Sequence, residues 1–150
     1  METVVLIIIA GILGTAGMSI TMWLITQTRL ANADMIRAVG SILTRSYENA
    51  FTPGLITHFT VGILIAFVYA AFLNLFDYRS IVAYSSIGAM MGTMHGLAVT
   101  FALVILVAEH HPLEQFREAG AEVAIAHMVG HIVYGLIVGA IIGIAHVRSV

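Results

Sequence analysis

A chain of 150 residues that is 60% apolar and only 9% charged cannot cover a globule with polar groups, which excludes an ordinary soluble enzyme. A formal charge of −2, with all six basic residues arginine, leaves no basic patch for nucleic acid. The absence of cysteine excludes disulfides, thiolate metal sites and iron–sulfur clusters. What remains is an all-α membrane protein, one integral membrane domain over residues 1–150 with the lipid bilayer as its surroundings.

Crossing a bilayer takes about 20 apolar residues, and a charge buried in hydrocarbon costs several kcal/mol. Four charge-free stretches are long enough, predicting transmembrane helices over about 3–28, 53–76, 80–108 and 120–147 and hence a compact four-transmembrane-helix bundle. The first run lacks a basic leader and exceeds the apolar core of a signal peptide, so a retained helix is expected. In the loop that follows, Met35, Ile36, Val39, Ile42 and Leu43 recur at helical spacing opposite Asp34, Arg37, Ser41 and Arg45. That pattern predicts a short amphipathic surface helix over about 32–46, with Asn32 as its N-cap. Only Asp77, Tyr78 and Arg79 separate the second and third runs, which must be antiparallel neighbours. Pro112 suits the first turn of a helix and predicts that the fourth begins there, ahead of its apolar run. Four crossings put both termini on one side. Arg29, Arg37, Arg45 and Arg117 against Arg79 and Arg148 then place the first and third loops in the cytoplasm.

Membrane helices pack through small residues. Gly88, Gly92 and Gly96 form one such stripe, and Gly135, Gly139 and Gly143 another. Gly62, Ala66 and Ala70 form a third, and Gly11, Thr15 and Ser19 a fourth. Histidine heads two of them, and the strings HFTVGILI (58–65) and HIVYGLIV (131–138) are alike, as are Gly14-Thr15 and Gly92-Thr93. These likenesses suggest two related helical hairpins.

Seven histidines in so apolar a chain are its chemical signal. If the third turn pivots near His111, His95 lies level with His127, and Met91 with His131. His127 and His131, four apart, share a face that continues the glycine stripe. His58 and His95 also sit beside small residues, so four imidazoles are expected to point inward in one half of the bundle. Imidazole is a favoured ligand of copper, iron and zinc, and paired histidines hold b-type haem. The first expectation is therefore a transition-metal or haem b site at His58, His95, His127 and His131, serving electron transfer or metal handling. Met91, Met94, His110, His111, Glu114 and Glu118 are further candidate ligands. Glu114, Glu118 and Glu122 recur every four residues as an acidic mouth on the same side.

Two other functions fit the pattern. In an accessory subunit of a larger membrane complex the histidines would only hydrogen-bond across helices to Thr15, Ser19 or Tyr134; the expected assembly is a homo-oligomer or such a complex. In a cation or proton conduit they would line a path below the acidic mouth. His146 has no partner visible in the sequence. No nucleophile elbow, P-loop or dinucleotide fingerprint is present, so no catalytic activity is expected.

Overall fold

The computed structural model describes residues 2–102, 109–117 and 120–149. Among them there is no strand. The chain forms α1 (Glu2–Gln27), α2 (Met35–Thr44), α3 (Phe51–Leu73), α4 (Ile81–Ala102), a 3₁₀ turn at Glu114–Phe116 and α5 (Ala121–Ser149). Three of these, over Thr3–Gln27, Phe51–Leu73 and Ala121–Val147, are long and apolar enough to cross a bilayer. Their outer faces carry exposed Ile20, Trp23, Leu64, Val68 and Ile144, surface that water would not favour. The described part of α4 falls short of the expected fourth span because Ser85, Ser86, Thr93, His95 and three glycines dilute its apolar residues.

Glycine sets the helix contacts. A methyl group on Gly88 would strike the carbonyl oxygen of Gly135, and one on Gly92 that of His131. A Cβ on Gly96 would come within 3.2 Å of Met128 Cα. Thus α4 and α5 run antiparallel, backbone against backbone, one residue out of the predicted register: His131 meets Gly92, not Met91. Gly11 lies as tightly on α3, 2.7 Å from its prospective Cβ to Ile63 Cα, and Gly62 abuts the Thr15 hydroxyl. Val138 and Tyr134 close on Gly14 at 2.8 and 2.9 Å, which packs α5 against α1. The helices therefore follow one another as α4, α5, α1, α3, and α3 meets α4 only lightly.

The first loop departs from expectation in two respects. Asn32 does not cap α2; Asp34 does, its Oδ1 accepting the Arg37 N–H at 3.1 Å. Ser41, assigned to the polar face, is fully buried and donates to the Arg37 carbonyl at 2.6 Å. The reason is a glycine contact: methyl groups on Gly40 and Gly54 would hit the carbonyls of Ala50 and Ile36, so α2 is pressed onto α3. Ile42 and Leu43 are left exposed at the surface.

The third loop folds back onto α2. Pro112 starts no helix; the chain turns through Glu114–Phe116, and α5 begins at Ala121. His111 is 1% exposed, accepts the Leu113 N–H at its Nδ1 (3.1 Å) and donates from Nε2 to the Ala38 carbonyl (3.0 Å). Phe116 packs edge-on against that ring at 4.9 Å, and Arg117 Nε donates to the His111 carbonyl at 2.6 Å. At the opposite end, His146 Nε2 reaches Asp77 Oδ1 at 3.1 Å and lies against Tyr84, so it does have partners.

Candidate functional site

The two α5 histidines are held by their own helix. His127 Nδ1 lies 2.8 Å from the Val123 carbonyl, and His131 Nδ1 lies 2.8 Å from that of His127. A carbonyl only accepts, so each Nδ1 carries a proton, and in the neutral form each ring has its lone pair on Nε2. His127 Nε2 is buried with no hydrogen-bond partner among the described residues. An orphaned buried nitrogen is uncommon enough to require an explanation.

His131 reaches its neighbours through its ring. His95 of α4 stands edge-on to it, 4.6 Å between centroids, with Nδ1 3.5 Å from Tyr69 Oη of α3. Tyr69 in turn packs edge-on on Tyr134 at 5.4 Å, and Tyr134 donates to the Gly62 carbonyl at 2.6 Å. Three helices are thereby tied around a cavity of about 210 Å³. Into it face His58, His95 and His131, together with Thr15, Met18 and Tyr134, while Met35 of α2 closes the wall. The His58 ring makes no hydrogen bond among the described residues and stands edge-on to Phe59, 6.3 Å between centroids. The hydroxyls suggested as histidine partners are otherwise engaged: Thr15 donates to Gly11 and Ser19 to Thr15, each within its own helix.

The structure thus brings His58, His95 and His131 to one cavity and leaves His127 a turn away on α5. Among the described residues, no three histidine or carboxylate side chains form a ready-made ligand set. The weaker candidates scatter. Met94 is 64% exposed; it and Met91 border a second hollow, between α3 and α4, that shares His95. His110 and Glu114 are exposed, and His111 has both ring nitrogens engaged by backbone. Glu118 lies outside the described residues. Glu114 and Glu122 belong to a 3₁₀ turn and to α5 respectively, so they share no continuous helix face. Met35 and Tyr69 are the contributors that sequence reasoning missed. Met35 was legible only as part of α2's apolar face, and Tyr69 carries no spacing signal that links it to His95.

Beside His131 the space is filled by α4 backbone, which leaves no room there for the porphyrin of a haem b. The cavity also falls below the roughly 300–1,000 Å³ of sites for drug-sized ligands. Fold and site together define a bundle that is all-helical among the described residues, membrane-like in length and composition, with a half-open, histidine-lined cavity between its helices. Compared with known proteins, the chain matches no family profile, no curated sequence and no solved structure.

Proposed function

We propose that the protein is a four-crossing membrane protein that binds a transition-metal ion through its interior histidines, in metal handling or electron transfer. Four crossings are favoured because α4 runs antiparallel along α5 and the sequence stays apolar over 103–108, past the described end of α4. Both termini then share one side. The α1–α3 pair closes at Thr15 on Gly62 and the α4–α5 pair at Gly92 on Gly135, one position off the alignment of Gly14-Thr15 with Gly92-Thr93, so the two hairpins are alike in small-residue packing rather than contact for contact.

The observation that carries the metal reading is the pair of α5 imidazoles whose Nδ1–H groups are committed to helix carbonyls. Metal-ligating histidines are oriented in this way, with the second ring nitrogen donating to a carbonyl or carboxylate and the first left for the ion. The His131 ring stands against that of His95, and His58 lines the same cavity from α3, so an ion bound there would draw rings together from α3, α4 and α5. An ion also suits the volume better than haem does. Protein purified in mild detergent and passed through a desalting column is expected to retain about one transition-metal ion per chain. Metal-free protein that takes up none on dialysis against copper, zinc and iron salts contradicts the reading.

A further inference from the structure

We propose that the seam between α3 and α4 binds a single-tailed lipophile whose neutral head carries an accepting oxygen, of the quinone kind. The inference goes beyond the metal reading and does not rest on it. Two hollows lie along this seam, where the helices meet only lightly. The histidine cavity of about 210 Å³ is walled there by Thr57, Val61 and Ile65 of α3 and by His95 and Val99 of α4. A second hollow, of about 420 Å³, carries on from Ile65 and His95, which border both, to Val68, Phe72 and Met90. The α3 residues follow one another at intervals of three or four, so one helix face lines the whole seam. From Thr57 to Phe72 that face is about 22 Å long, most of a hydrocarbon core of about 30 Å.

The two ends differ in chemistry. His58 and His131 belong to the hollow beside α2, whereas the other is apolar apart from Tyr69 and His95. No arginine, aspartate or glutamate lines either, so nothing there offsets a charged head such as phosphate or carboxylate. Hydrogen-bonding capacity is left over. His58 makes no hydrogen bond among the described residues, and His131 uses only Nδ1 on its own helix. Tyr69 Oη and His95 Nδ1, 3.5 Å apart, share one proton whichever tautomer His95 adopts. That pair therefore keeps one N–H or O–H to donate. An acyl chain cannot accept it, and the bilayer core holds no water that could. A neutral oxygen accepts it, and an apolar tail fills the remaining length. A transmembrane helix suits the seam less well. Helices approach closely through small residues, and Gly62, Gly88, Gly92 and Gly96 are already committed inside the bundle. The rim of the seam is formed by the exposed side chains of Val61, Val68, Met90 and Met94.

The test equilibrates full-length protein in phospholipid nanodiscs with tritiated decylbenzoquinone or tritiated decylbenzene, empty discs giving the partition background. About one decylbenzoquinone per chain is expected above that background, held at least about 10-fold more tightly than decylbenzene. His58→Phe is expected to weaken the quinone about 5-fold and to leave decylbenzene unchanged. Val68→Trp, at the exposed rim, should weaken the quinone about 10-fold or more by filling the tail end. Ile20→Trp, exposed on the outer face of α1, should leave it unchanged. Met90→Trp, likewise exposed at the rim, repeats the comparison if Val68→Trp fails to fold. No binding above empty discs gives the seam to bilayer lipid and overturns the proposal. Equal binding of the two probes also overturns it, as does wild-type quinone affinity in His58→Phe or in both rim variants. A dimer that binds no quinone and that Val68→Trp dissociates gives the seam to a second copy, which overturns it too.

Discussion

Replacing Gly92 with valine is expected to force α4 from α5 and to abolish a monodisperse, folded species in detergent. At this position a side chain meets the carbonyl of His131 and, at 3.0 Å, Ile132 Cα, and backbone cannot rotate out of the way as a side chain can. Overpacking a well-filled interior costs about 1–3 kcal/mol, and more where only main chain can yield, against a total stability of about 5–15 kcal/mol. The same contact carries His131, so a bundle that survives the substitution should have a displaced ring. Gly130→Ala supplies the comparison, since its methyl would meet the flexible side chains of Met18 and Met22 at 3.1 Å. It should shift thermal unfolding little, within about 1 kcal/mol. Size-exclusion profiles and thermal unfolding of the two variants in one detergent make the check. Equal behaviour of the two would mean that the α4–α5 backbone contact does not hold the bundle.

His131→Ala is expected to remove metal retention while leaving the helices in place. His131 stands edge-on against His95 and lines the same cavity as His58. Loss of residues that merely orient metal ligands typically lowers affinity 10–100-fold, so loss of a ligand itself should lower it by about 100-fold or more. His127→Ala should weaken binding less, because the cavity wall itself does not include it. His111→Ala is the control for a buried histidine of structural kind. Its two backbone bonds disappear, which destabilises the protein by about 1–3 kcal/mol, and metal content is unchanged in the protein that remains folded. Metal analysis beside thermal unfolding separates these outcomes. Retention by His131→Ala at the wild-type level would move the site elsewhere.

Much of the fold was legible because membrane-type helices advertise themselves through length and small residues. The stripes at Gly88, Gly92, Gly96 and at Gly135, Gly139 meet one another, and the level rule that placed His95 beside the α5 histidines holds to within one residue. The features that escaped depend on chain packing across long separations. Nothing local says that α2 would be pressed onto α3 by Gly40 against Ala50, and so nothing marks Met35 as part of a cavity wall. In sequence His111 is indistinguishable from the other candidate ligands; its ring is committed by the carbonyl of Ala38, 73 positions away. The acidic repeat at Glu114, Glu118 and Glu122 had helical spacing on paper, but the segment after Pro112 turns before α5 starts. Glycine was ambiguous as well: the same residue type makes room for a cofactor or for a helix, and beside His131 it serves the helix.

On the function proposed above, the cavity imidazoles hold a metal ion. X-ray absorption at the metal edge of the wild-type protein, loaded and then freed of excess ion, reads the ligands directly. The account predicts a first shell with nitrogen at about 2.0 Å and the outer-shell scattering of imidazole rings, both lost in His131→Ala. An oxygen-only shell without imidazole scattering, or a spectrum identical in the variant, would contradict it.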